Sequence, residues 1–529
     1  MPHPRANNDL AAESSSAAVR LPRQILPGNI SHAWYERSLI AAGFVAFGVV
    51  LLGLFVTAPG DFGLLLLLGA GAFVAVALGL RSPVLASMYL LVATFFRLAV
   101  PSDTLPIDPF VLAFAGVVAA SGSTLMGPHR SRLSAFGAIE CAMALFVVWN
   151  LISMIAPHLY DPGETLGSTE FSVVRFILIG TVMPYTMFLV GRYVFVTESA
   201  IRFLLWTLLA TTAYSAAVSI MQFHGPASLV WPRYIVNDPA WAGRAVGVFN
   251  QPVVNGLVLI CGFLVAVLIA SHRSETKFLR VVAVIIALAT AYGIFLTHTR
   301  AVWLSFALVV VIGAVRARGF RRGFVAAGAV AVIMVAVNWS TFTSDDRDAG
   351  GVGSTSEVED RLNTIATSIW AVERQPLIGW GIGRYTSVNT YHHQQWSPSV
   401  SWERGYGINS HFDALGILVE LGIVGFVLWA TVLIWILLEL GRAARRLPDE
   451  GLYNRPLALT ASMAFVAWMT TGLTVDLRLF DFPNIVVMLL AGAALGRAHH
   501  HSNHANASNA LLAPIRSEVA YGPPGSVPR

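Results

Sequence analysis

Residues 407–425, GINSHFDALGILVELGIVG, set an Asn, a His and an Asp at the mouth of a run apolar enough to enter a membrane. A helix turns about 100° per residue, so Asn409, Asp413, Gly416 and Glu420 share one stripe while His411 shares another with Leu415 and Leu418. His411 and Glu420 therefore face opposite ways and do not form a direct acid–base couple. His411 sits at the water boundary, and an unperturbed pKa of about 6.5 leaves it partly neutral and able to accept a proton. Capping or packing is its other reading. Asp413 lies about 200° round the helix from His411 and can orient it only if the segment before Asp413 is not yet helical. Glu420, two turns into the run, is expected to face the bundle interior or a wet cavity. There it either ties neighbouring helices together or supports substrate binding.

Arginines end several other segments. Arg300 closes LTHTR, Arg244 closes PAWAGR, Arg175 lies just inside an apolar run, and Arg361, Arg384 and Arg404 precede His411. Each alone reads as a snorkelling or ion-paired residue. As a group they suit bidentate binding of phosphate, because the guanidinium is a planar fork whose charge persists at physiological pH.

The elements that must position these groups follow from composition. Of 529 residues, 56% are hydrophobic and 12% charged, against roughly 25% charged in soluble domains. The fold class is an all-α polytopic membrane protein. Apolar runs fall at 38–58, 62–80, 83–100, 107–126, 135–156, 171–191, 203–222, 245–270, 281–296, 301–315, 324–340, 413–440, 457–475 and 482–496, which predicts about 14 transmembrane helices, with 12 as the lower count. Short cytoplasmic loops collect Lys and Arg. With the N-terminus inside, sixteen basic residues fall on inward connections, whereas the short outward ones carry four: Arg233, Arg244, Arg300 and Arg478. That asymmetry puts the long connection, 341–412, outside, together with the arginines above.

The organisation predicted is a cytoplasmic, largely disordered segment 1–37, helices 1–11 over 38–340, an extracytoplasmic loop module 341–412, helices 12–14 over 413–496, and a disordered cytoplasmic tail 497–529. Within the module, Val358, Leu362, Ile365, Ile369 and Val372 keep helical spacing up to Pro376, and Gly379, Gly381 and Gly383 follow as a tight turn. This is read as an amphipathic helix on the outer membrane face. The net charge of +5 is explained by the inward arginines and argues for no nucleic acid. Cys141 and Cys261 fall in apolar runs and are read as buried thiols. No cleavable signal sequence is apparent. His392 and His393 read as loop surface, and His499, His500, His501 and His504 as a solvated tail, so no metal and no cofactor are expected. Trp396, Trp402 and Tyr406 are candidates for stacking on sugars or for seats at the membrane interface.

HFDALGILVELGIVG, with His411, Glu420, Gly422 and Gly425, resembles the signature after the long periplasmic loop of the O-antigen ligase and polysaccharide polymerase superfamily. RLNTIATSIWAVERQPLIGWGIGRY, THTRAVWLSFAL and GVFNQPVVNG, with Asn250, Pro252 and Asn255, resemble further segments of that family, in order across 245–440. Two positions depart from its pattern: Phe412 stands where Asn is frequent, and Thr299 where Ser is frequent. The resemblance implies a glycosyltransferase in the bacterial inner membrane, with both termini cytoplasmic and the active site periplasmic. It would use an undecaprenyl-diphosphate-linked glycan donor and a glycan or lipid A-core acceptor, among membrane lipids and other polysaccharide-assembly proteins. Transfer would be inverting and metal-independent, with His411 as base, Arg300, Arg244, Arg361, Arg384 and Arg175 on the diphosphate, and Asn409, Asp413, Glu420 and Asn250 in support. The alternatives are a lipid-linked oligosaccharide flippase and a protein O-oligosaccharyltransferase of the same superfamily. A flippase is expected to show two related halves and short outer loops; the 72-residue outer module favours an enzyme. Chain length and the extra spans favour polymerase over ligase.

Overall fold

Helix starts are written into the chain as caps. Gln251 accepts the N–H groups of Val253 and Val254 (2.6 and 3.3 Å) with Pro252 in the first turn, and Thr197 and Thr276 cap two further helices through their hydroxyls. The structure, a computed structural model, describes residues 82–99, 108–126, 137–163, 171–237, 241, 243–337, 339–344, 356–396, 398, 401 and 407–520. The runs at 38–58 and 62–80, segment 1–37, and Trp402, Arg404, Tyr406 and the His504 side chain lie outside the described residues.

The main helices are α1 (Pro83–Phe95), α2 (Pro109–Met126), α3 (Ala138–Ile155), α4 (Val173–Val194, with a π-helical turn at Leu178–Val182), α5 (Glu198–His224), α6 (Pro252–Ser271) and α7 (Lys277–Leu296). They continue as α8 (Arg300–Arg316), α9 (Arg321–Val337), α10 (Ser356–Arg374), α11 (Tyr385–Tyr391), α12 (Asp413–Arg446), α13 (Arg455–Thr471) and α14 (Asp481–Ala520). No strand occurs among the described residues. Every apolar run from residue 83 onward coincides with a helix, and α10 and α11 occupy the module. Seven described helices, α3 to α7, α12 and α14, are long and apolar enough to cross a membrane. α8, α9 and α13 have 17 residues each, the lower end of spanning length at roughly 17.

α6 is the central helix: 94% of its apolar stretch is buried, against 33% for α7, whose Val281, Ile285 and Leu288 are exposed. Such exposed apolar rows suit lipid contact. Between helices in lipid the attraction comes from close packing, which small residues permit. The α4–α14 seam shows this, since a methyl group at Gly492 would lie 2.1 Å from the Phe188 carbonyl oxygen and one at Gly496 2.2 Å from that of Arg192.

Successive connections segregate into two sets. Arg192 pairs with Glu140 (2.7 Å), Arg202 with Glu275 (2.8 Å) and Arg497 with Glu198 (3.0 Å), all joining basic connections predicted to face inward. The short arginine-poor connections and the 341–412 module meet one another instead: Arg97 pairs with Asp481 (3.0 Å), Gly163 N–H bonds the Gly383 carbonyl (2.9 Å), and Ala245 N–H bonds that of Leu296 (2.8 Å).

Three expectations differ from what is found. α14 is helical through Ala520 rather than ending near 496. Cys141 is exposed on α3, and only Cys261 is buried. The run beginning at 245 starts its helix at Pro252, because Gly243, Gly247 and Asn250 all take positive φ and hold 243–250 as an irregular strap.

Candidate active site

The segment carrying His411 is anchored by a break in the helix that follows it. At Gly422 (φ 66°, ψ −172°) α12 departs from helical geometry, and the module's glycine turn docks there. Trp380 and Gly381 N–H groups bond the carbonyls of Val419 and Glu420 (2.9 and 2.8 Å), and Ile423 N–H bonds that of Pro376 (2.8 Å). Irregular backbone at membrane depth is tolerated only where its polar groups find partners, and the docked turn supplies them. Both strands of this contact need glycine: a Cβ at Gly422 would lie 2.2 Å from the Leu377 carbonyl oxygen, and one at Gly379 (φ 72°) 2.5 Å from that of Glu420.

Glu420 and Asp413 tie this region to the loop after α13. The Glu420 carboxylate accepts from Tyr385 N–H (3.1 Å) and from Arg478 Nη1 (2.6 Å), while Arg478 also forks onto Asp476 (2.9 and 2.6 Å). Of the two readings of Glu420, the tie between elements is the one its contacts fit. Asp413 accepts from Leu477 N–H (2.6 Å), and its own N–H bonds the Gly472 carbonyl (2.8 Å). These bonds fasten the start of α12 to residues 472–477. α12 begins at Asp413, so His411 stands in a non-helical turn, where the Ser410 hydroxyl donates to the Phe412 carbonyl (2.7 Å).

His411 lines a cavity of about 120 Å³ together with Arg244, Arg300, Arg361, His298, Thr299, Trp241, Gln251, Val253, Thr474 and Val475. Five chain segments converge here, three from short arginine-poor connections and two, at Arg361 and His411, from the 341–412 module. No described residue lining the cavity is acidic. Arg361 comes from α10; burial, and then the positive charge of Arg300, lower its pKa from the usual guanidinium range. Like charges held in each other's field repel, and a bound anion would relieve that repulsion. Arg300 is also the first residue of α8, where the helix dipole adds positive potential. Arg244 lies over the Trp241 ring, 5.6 Å from its centroid. Asp413 and Arg478 line a separate interior cavity of about 20 Å³, which belongs to the scaffold behind the site.

The other candidate residues lie elsewhere. Arg384 is buried and donates to the carbonyls of Tyr160 (2.7 Å) and Ile382 (3.1 Å), anchoring the loop after α3 to the glycine turn. Arg175 pairs with Asp108 (2.8 Å) and faces the Phe110 ring. Asn409 accepts a hydrogen bond from the Thr386 hydroxyl, and Asn250 takes the left-handed turn (φ 47°) that ends the strap before α6. Trp396 is exposed on the module. His392 and His393 are not loop surface: His392 stacks on Trp370 (4.5 Å between centroids), and His393 is buried with Nδ1 3.0 Å from Asn389 Oδ1.

His298 escaped the sequence reading. Its Nδ1 lies 2.8 Å from the Gly243 carbonyl, joining the Arg244 strap to the start of α8. Its signal was present, as the residue two before Arg300 in LTHTR.

Residues 283–430 match the family model described as O-antigen ligase. No curated protein matches the chain. The matched stretch runs from α7 past the break in α12 and contains Arg300, Arg361, His411, Glu420 and Gly422. Over these residues the chain is similar to the O-antigen ligase family.

Proposed function

We propose that the protein is an inverting membrane glycosyltransferase that moves an undecaprenyl-diphosphate-linked oligosaccharide onto an acceptor hydroxyl at the periplasmic face of the inner membrane. The observation that carries this reading is the meeting of Arg244, Arg300 and Arg361 with His411 on one cavity. The arginines hold the donor diphosphate and stabilise the charge that grows on it as the bond to the sugar breaks. The acceptor oxygen attacks the anomeric carbon from the opposite face, His411 takes its proton, and the electron pair of the broken C–O bond leaves on the diphosphate. The products are the glycosylated acceptor and undecaprenyl diphosphate. The inward bias of basic residues supports fourteen spans with both termini cytoplasmic, which puts this cavity on the outer side. Chain length favours another lipid-linked repeat as the acceptor, and hence a polymerase.

Arg300→Lys keeps the charge and loses the fork. Transfer is expected to fall at least about tenfold, about 1.4 kcal/mol of transition-state stabilisation, and further in Arg300→Ala. The measurement is transfer by membranes carrying each variant at limiting and saturating donor. Wild-type rates in Arg300→Lys under both conditions would remove the bidentate role.

A further inference from the structure

Arg244 stands on the irregular strap 243–250, yet the strap's backbone is bonded at successive residues. The Gln222 side chain, in the last turn of α5, donates from Nε2 to the Arg244 carbonyl (2.7 Å) and accepts at Oε1 from Val246 N–H (3.3 Å). Asn255 Nδ2 donates to the Ala245 carbonyl (3.0 Å), Ala245 N–H bonds the Leu296 carbonyl (2.8 Å), and His298 Nδ1 meets the Gly243 carbonyl (2.8 Å). Helices α5 and α6 and the α7–α8 turn thus each grip the strap. Asn255 is fully buried and also bonds Ser215 and Ser219, so it belongs to the core of the bundle. Gln222 is different: it is half-buried at the helix end, does not line the cavity, and its two amide bonds hold the carbonyl of Arg244, the strap residue whose side chain does, and the N–H of Val246 two residues on.

We propose that Gln222 is a positioning residue that fixes Arg244 in register with Arg300 for the two to hold one diphosphate. The inference rests on the glycosyltransferase reading above. A guanidinium on a free strap would sample many placements, and ordering it on binding would cost affinity; one already fixed avoids that cost. Gln222 acts on the donor through Arg244 alone, so its effect disappears when Arg244 has no guanidinium to place.

The test is a double-mutant cycle on the full-length protein in detergent, with undecaprenyl diphosphate as the binding probe. Gln222→Met keeps the size and removes both bonds. It is expected to weaken binding about tenfold in the wild-type background and by less than about twofold beside Arg244→Ala. The KM for the glycan donor should rise in parallel, and any fall in kcat should likewise vanish beside Arg244→Ala. An equal loss in both backgrounds, or no loss in the first, would overturn the proposal and leave Gln222 as a packing residue. Should Gln222→Met not fold, Gln222→Glu, which keeps the acceptor for Val246 N–H, runs the same cycle under the same criteria. If Arg244→Ala itself leaves binding unchanged, the diphosphate reading of the cavity fails first, and that result is separate from the behaviour of Gln222.

Discussion

Replacing His411 by Gln is expected to lower glycan transfer by roughly 10²-fold or more while the binding of undecaprenyl diphosphate stays near its wild-type value. Gln keeps a hydrogen-bonding amide of similar reach but cannot take a full proton at neutral pH. The separation of effects follows from the cavity, where the arginines come from the strap, α8 and α10, and His411 comes from the turn before α12. His411→Ala should abolish transfer with the same sparing of donor binding. Transfer rates and carrier affinity, measured on the same preparations, decide it. A Gln variant that transfers near the wild-type rate would reduce His411 to orienting the acceptor, with the proton going to the departing diphosphate or to water.

Loss of Arg478 is expected to have the largest effect on stability. Its guanidinium is the partner of both Glu420 and Asp476, and all three side chains are less than a tenth exposed. Arg478→Met leaves two carboxylates buried without that charge, a cost of about 3–5 kcal/mol, well beyond the loss of one exposed ion pair. The damage should also reach the site, because Glu420 holds the Tyr385 backbone and α12 follows directly from His411. Thermal unfolding in detergent measures the first effect. Adding Glu420→Gln to Arg478→Met should recover part of the loss, since one stranded charge is removed. A melting temperature unchanged in Arg478→Met would show that the network carries no stability.

The apolar runs revealed the helices because lipid admits only backbone that satisfies itself, so length and hydropathy mark a spanning segment directly. The glycine turn before Arg384 was legible for a similar local reason: Gly379, Gly381 and Gly383 all take positive φ. Partners distant in sequence were not legible. The criterion of an arginine on the outer side drew in Arg244, Arg300 and Arg361, which share the cavity, but equally Arg175, which pairs with Asp108, and Arg384, which ties down a loop. Arg478 was counted as an outward arginine, yet its role depends on Glu420, 58 residues earlier, and no periodicity reveals such a pair. The break at Gly422 was hidden because the apolar pattern continues through it, while the backbone carbonyls and N–H groups around it are bonded by 376–381, a segment distant in sequence. The strap at 243–250 was absorbed into a predicted span because Val246, Val248 and Phe249 are apolar; they are buried outside any α-helix, Val248 and Phe249 in the short 3-10 turn Gly247–Phe249.

The central claim is that the cavity breaks the bond between glycan and carrier diphosphate rather than carrying the intact lipid across the membrane. The direct measurement uses the full-length protein reconstituted in liposomes with undecaprenyl diphosphate bearing a labelled oligosaccharide, with and without an acceptor, either a second lipid-linked repeat or lipid A-core. The account predicts free undecaprenyl diphosphate and label in a new glycosidic bond, in equal amounts, only when an acceptor is present and not with His411→Ala. Label that reaches the opposite leaflet still joined to its carrier, with no carrier diphosphate released under either condition, would contradict it.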